Sequence, residues 1–129
     1  MGETFSVLNK TKGNLPIGRL PFQAMKDTVL GKKYDLSLVF VTPKESHKIN
    51  LTYREKDKPT NILSFPLDKS AGEIIICPSY AKKEAATFER PYENYLAFLF
   101  IHGLIHLKGF DHGSKMENEE VKIRSKFGI

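Results

Sequence analysis

The chain has 129 residues, of which 40% are apolar and 27% charged, and its formal net charge is +5. That size and apolar content suit one domain around one core, spanning residues 1–129, and the positive balance favours a polyanionic partner. Cys77 is the only cysteine, which excludes an internal disulfide and an all-cysteine metal site and fits a reducing compartment such as the cytoplasm.

Residues 4–8 (TFSVL) read as a short strand. Over 21–30 a helix is expected: Pro21 suits the first turn, Phe22, Met25 and Val29 recur at helical spacing, and Gly31 suits the position just past the end. DLSLVFV (35–41) alternates and reads as a strand. Thr42-Pro43-Lys44-Glu45 is a capping box with proline at the first helical position, heading a helix to about Tyr53. The polar segment 53–61 is a loop. ILSFP (62–66) and GEIIIC (72–77) read as strands, the second central because Ile74, Ile75 and Ile76 form an unbroken apolar run. A helix from Pro78 or Ser79 ends before Pro91, which opens an apolar helix to about Leu107. Ser114-x-x-Glu117 reads as a second capping box, heading a helix with Met116, Ile123 and Phe127 on one side. No repeat, low-complexity tract or linker interrupts this order. Strands and helices intermix, so the fold class is α+β: a single domain with helices packed on a four-stranded mixed sheet and a central buried helix.

The N-terminal MGETFSVLNKTKG has no apolar stretch of the kind a secretory signal needs. The most apolar run, YLAFLFIHGLIHL (95–107), is too short for the roughly 20 residues of a bilayer span. It ends in HGLIHLKGFDH (102–112), which holds three of the four histidines. His102 and His106 stand about 40° apart on one helical face, one turn apart, so their imidazoles can meet one ion. His112 can join them only if the helix ends first, and Gly109 is the residue able to turn the chain back. Three imidazoles leave a fourth tetrahedral position open, the arrangement of a catalytic rather than a structural zinc site. Copper and nickel also accept imidazole.

The spacing matches the metzincin protease signature H-E-x-x-H-x-x-G-x-x-H except that Gly103 stands in place of the glutamate. The general base of a zinc peptidase, worth about 10²–10⁴-fold, is therefore missing. A glycine inside a helix costs about 0.5–1 kcal/mol against alanine, so Gly103 has a reason to be there. Either a neighbouring element packs close to it, or a substrate needs the room. Asp111 is the nearest carboxylate. It either accepts a ligand histidine's second N–H or assists proton transfer, or it shapes an Asx-type turn. His47 sits on a polar helix face and reads as a solvated histidine.

A substrate with its own nucleophile needs less help. RNA carries a 2′-hydroxyl beside each phosphodiester, and a metal can polarise the phosphoryl oxygen or activate a water; the sequence does not choose between these routes.

HGLIHLKGFDH resembles the H-G-x-L-H-L-x-G-Y-D-H signature of the YbeY family, bacterial endoribonucleases linked to ribosomal RNA maturation and ribosome quality control, with Ile105 and Phe110 in place of leucine and tyrosine. YREKDKPTNILSFP (53–66) and GEIIIC, with Glu73 for aspartate, match two further blocks. The resemblance spans roughly 35–127. It implies a zinc ion on His102, His106 and His112, a functional arginine at Arg54, ribosomal RNA and the small ribosomal subunit as partners, and a cytoplasmic location. Arg54, His106 and Asp111 are the expected catalytic residues. A guanidinium at Arg54 can grip a phosphate bidentately. Alternatively it satisfies the last helix carbonyls or pairs with Glu55 or Asp57. Lys56 and Lys58 either add phosphate contacts or form solvated ion pairs. Thr60, Asn61 and Ser64 either line the cleft or, for the first two, shape the turn. Two other functions are weighed beside the ribonuclease: a metallohydrolase for another substrate such as a peptide, and a ribosome-assembly factor whose metal is structural.

Overall fold

A computed structural model of the chain describes residues 4–15, 17–110 and 113–129. In order they form β1 (Phe5–Asn9), a 3₁₀ turn (Ile17–Arg19), α1 (Phe22–Leu30), β2 (Asp35–Phe40), α2 (Pro43–Arg54), β3 (Ile62–Asp68), β4 (Ala71–Ile76), α3 (Pro78–Thr87), α4 (Tyr92–Leu107) and α5 (Ser114–Phe127). The strands make one sheet in the order β1-β2-β4-β3. β1, β2 and β4 run parallel, while β3 pairs antiparallel with β4. The mixed four-stranded α+β fold read from the sequence is therefore the one formed, and the Ile74–Ile76 run is interior, paired on both edges.

Strand alternation divides the apolar residues between two layers. Leu36, Leu38, Phe40, Ile74 and Ile76 join Phe22, Met25 and Val29 of α1, the buried face of α4, and Met116 and Ile123 of α5 in the main core. Leu63, Phe65, Val39 and Ile75 lie in a smaller second cluster with Val41, Cys77, Ile49 of α2 and Tyr80 of α3. α4 is the central helix. Tyr95, Leu96, Ala97, Leu99, Phe100, Ile101, Gly103, Leu104 and Ile105 are all buried, which accounts for its nearly all-round apolar sequence. Among the described residues no helix is long and apolar enough to cross a membrane.

The local signals mostly act as read. Thr42 Oγ1 accepts the Glu45 backbone N–H at 3.3 Å, so the first capping box is half formed. The Glu45 carboxylate does not fold back, because Lys10 takes it in an ion pair. The second capping box does not form. Ser114 is already helical, and Gly113, at φ +147°, takes the cap position with no side-chain bond. The 3₁₀ turn carries no signal that the sequence reading used. β3 continues past Pro66 to Asp68, with a register shift between those residues. An edge strand tolerates a residue without an N–H, which a central strand does not. Lys26 is fully buried. Its ammonium donates to Thr4 Oγ1 and the Lys32 carbonyl at 3.1 Å and to Asp27 at 3.2 Å, tying the start of β1 to the α1–β2 connection.

Candidate active site

α4 ends by the mechanism that Gly109 suggested. The Gly109 N–H donates to the His106 carbonyl at 3.0 Å and the Phe110 N–H to the Ile105 carbonyl at 3.3 Å. Gly109 has φ +109°. These two bonds and a left-handed residue after the last helical turn make a Schellman motif, which closes the helix and reverses the chain. His112 and Asp111 lie outside the described residues.

His102 and His106 share one face of α4, as their spacing required. Their ring centroids are 5.0 Å apart and the rings are nearly perpendicular, at 88°. His102 is further fixed from α5, where Glu120 Oε1 lies 2.5 Å from its Nδ1. In the neutral tautomer whose Nδ1–H donates to that carboxylate, Nε2 carries the ring's coordinating lone pair. For Asp111 the sequence leaves such an outer role, proton transfer or a turn open, and it gives no sign of Glu120. It is one of several α5 carboxylates, and only tertiary packing brings it to His102.

Around the histidines lies a cleft of about 370 Å³, lined by Arg54, Thr60, Asn61, Ile62, Ser64, Pro66, His102, His106 and Leu107. Arg54, the last residue of α2, is exposed. It does not pair with Glu55 or Asp57, and the latter is instead 2.6 Å from His47 Nε2. His47 is thus a surface residue in contact with Asp57 and does not line the cleft. Thr60 and Asn61 have both roles that the sequence left open. Ser46 Oγ donates to the Thr60 carbonyl at 2.7 Å and accepts the Thr60 N–H at 3.0 Å, while Asn50 Nδ2 donates to the Lys58 carbonyl at 2.8 Å. Those bonds strap the polar loop to α2 and deliver Thr60 and Asn61 to the cleft wall. Asn61 Nδ2 donates to Glu84 Oε1 at 2.7 Å, and the Tyr95 hydroxyl donates to the same oxygen at 3.3 Å. Burial, reinforced by the Glu84 charge, pushes the Tyr95 phenol up to about 12.

Gly103 is explained by packing. A Cβ there would lie 3.0 Å from Ile62 Cδ1, 3.0 Å from Ser64 Oγ and 3.1 Å from Ile74 Cδ1. The helix lies directly on β3 and β4 at this point, and the glycine makes contact with protein rather than room for a substrate.

Two imidazoles presented along one helical face, one of them oriented by a carboxylate, fit the donor chemistry of a zinc site. Among the described residues no third histidine, cysteine or carboxylate completes a ligand group.

A cleft that holds paired imidazoles and a guanidinium with no carboxylate partner among the described residues, at the edge of a mixed sheet, has the chemistry of a small α+β hydrolase suited to an anionic ester. The comparisons with known proteins make the class specific. The model of the family described as endoribonuclease YbeY matches residues 18–127, extending the resemblance read from the motifs toward the N-terminus. Endoribonucleases YbeY from Acinetobacter baumannii strains ATCC 17978 and ACICU are each 37% identical over 112 residues, covering 74% of this chain and 71% of theirs. The solution structure of TM1509 from Thermotoga maritima superposes with a TM-score of 0.68 at 26% identity, covering 96% of this chain and 89% of that one. The chain belongs to the YbeY family of endoribonucleases, hydrolases that cut RNA internally and take part in ribosomal RNA maturation.

Proposed function

We propose that the chain cleaves single-stranded ribosomal RNA in the cytoplasm, at the small ribosomal subunit, with a zinc ion held by His102, His106 and His112. The observation that carries this reading is the shared cleft: His102, His106 and Arg54, from elements far apart in sequence, line one cavity. Arg54 binds non-bridging phosphate oxygens and offsets the charge that develops on them, where a planar two-pronged donor is worth more than a point charge. Ser64, Thr60 and Asn61 supply neutral polar groups for sugar and base. Glu120 holds the His102 ring and fixes which nitrogen faces the ligand. Bound zinc supplies Lewis acidity at the scissile phosphate. Asp111 is assigned to proton transfer or to orienting a histidine.

The peptidase alternative loses its remaining support at Gly103, where the contacts to Ile62, Ser64 and Ile74 leave no space for a glutamate side chain. The test is cleavage of a single-stranded RNA by the wild type, with and without chelator, beside His106→Ala and Arg54→Ala. Loss of cleavage in the chelated sample and in both variants is expected. Cleavage that survives chelator and His106→Ala would remove the metal from the mechanism.

A further inference from the structure

Three of the chain's four arginines, Arg54, Arg90 and Arg124, form no ion pair with a described carboxylate; Arg19, with Glu93, is the exception. Arg54 belongs to the cleft already described. The other two meet elsewhere. Arg90 Cζ lies 4.6 Å from the centroid of the Phe98 ring and Arg124 Cζ 4.8 Å from the same centroid. Two like charges over one ring repel each other, and the ring's negative face offsets that only in part. Arg90 Nη1 also donates to Asn94 Oδ1 at 2.5 Å, a neutral partner that leaves the guanidinium charge uncompensated.

Its position relative to the histidines is set by α4. Tyr95, Phe98, His102 and His106 follow one another along one side of that helix, and Phe98 precedes His102 by one turn, about 6 Å. Tyr95 stacks on Phe98 at 5.7 Å and 12°, and Phe88 stacks on Tyr95 at 5.6 Å and 16°. The outer ring, Phe88, is 59% exposed. A second cleft of about 360 Å³ reaches from Phe98, the inner ring of this ladder, to His102, and is lined also by Gly113, Met116, Glu117, Glu120 and Arg124. His102 therefore stands between two clefts, one holding Arg54 and the other Arg124. Glu120 is engaged by His102, and Glu117 lines the same groove as Arg124.

We infer that Arg90 and Arg124, seated on Phe98, form a second nucleotide subsite for the RNA strand, on the opposite side of the histidines from Arg54. Their guanidiniums hold the phosphate of a nucleotide flanking the cleaved bond. The exposed ring of Phe88 stacks the base beyond it. Alternating rings and guanidiniums are how sequence-tolerant single-strand sites are built, because every base has a flat face and every linkage a charge. The cleavage centre then engages a run of nucleotides rather than one linkage. This inference rests on RNA being the substrate.

Two measurements test it. In the first, KM is compared for a single-stranded dodecamer and a trinucleotide over a salt series, for wild type and the Arg90→Gln/Arg124→Gln double variant. The dodecamer KM is expected to rise about tenfold or more, and its logarithmic salt dependence to flatten by about 1.4, the share of two phosphate contacts to a single strand. The trinucleotide KM should change much less. Equal KM and equal salt slope for the dodecamer in the two proteins would overturn the subsite. The second measurement needs no variant. Wild-type protein is treated with phenylglyoxal with and without saturating dodecamer, and modified arginines are counted by mass spectrometry. Several-fold protection of Arg90 and Arg124 is expected, and unchanged modification of both would overturn the proposal. Protection of Arg54 alone would leave the RNA reading standing and remove only the second subsite. Failure of the wild type to cleave or be protected by any RNA would remove both.

Discussion

Replacing Gly103 by alanine sets two effects of known size and opposite sign against each other. Alanine is the better helix former, and in an open helical site the exchange stabilises by about 0.5–1 kcal/mol. At position 103 the added methyl would sit 3.0–3.1 Å from Ile62 Cδ1, Ser64 Oγ and Ile74 Cδ1. Each is several tenths of an ångström inside ordinary contact, and Ile74 is fully buried, with nowhere to retreat. Overpacking of this kind costs roughly 1–3 kcal/mol. The net expectation for Gly103→Ala is a loss of about 1 kcal/mol, a fall in Tm of roughly 3–5 °C for a chain of this size. Urea unfolding followed by circular dichroism measures it directly. Because Ile62 and Ser64 also line the active cleft, RNA cleavage should fall severalfold alongside, as a few tenths of an ångström of misplacement disturbs the approach of substrate to the histidines. Gly103→Glu, which would restore the peptidase pattern, adds a buried charge to the clash and should cost more than about 4 kcal/mol. A Gly103→Ala protein more stable than wild type would refute the packing argument, because helix propensity would then be the whole effect.

On the proposed zinc site, Glu120→Gln should weaken zinc retention by about 10–100-fold, the usual penalty for losing an outer carboxylate on a ligand histidine, read by competition with a chromogenic chelator; unaltered retention would detach Glu120 from that site. Tyr95→Phe should alter alkaline stability: the phenol is raised from 10.0 to about 12 in the fold, so the native state resists giving up a proton that the unfolded chain releases. Wild-type stability is thus expected to fall by about 2–3 kcal/mol as pH rises from about 10 to about 12, beyond any decline in the variant, and parallel urea midpoints for the two proteins across that range would contradict it. Glu55 caps α2 at φ +57°, a left-handed conformation that glycine adopts without penalty. Glu55→Gly should therefore raise stability by about 0.5–1 kcal/mol in urea, and a loss of similar size would mean that the Glu55 side chain contributes more than its backbone strain costs.

The fold was legible where one kind of local signal acted alone. Proline at helix starts, alternation in β2 and the isoleucine run of β4 each specify an element without reference to the rest of the chain, and each formed. The same holds for His102 and His106, whose helical spacing dictates their common face, and for Gly109, whose backbone freedom lets the helix close. Signals that compete for a partner were less readable. Thr42 and Ser114 head the same kind of motif, yet only Thr42 caps, and even there Lys10, from the far end of β1, takes the carboxylate that the motif would have used. What the sequence could not convey was distance-bridging contact. Glu120 is indistinguishable from its acidic neighbours until α5 packs against α4. Gly103 is a defect in a helix until Ile62 and Ile74 are seen against it. Phe98 reads as one more apolar residue of a buried run, and its two guanidinium neighbours come from different helix ends.

β3 carries Ser64 and Pro66 into the candidate active cleft and is also one of the two edge strands of the sheet. A strand margin invites another chain to anneal to it, and here annealing would cover the side of the cleft that Ser64 and Pro66 line. Pro66 has no hydrogen to offer, and the slip in register before Asp68 breaks the regular ladder that a newcomer would follow. One irregularity thus guards the β3 side of the cleft against a second chain.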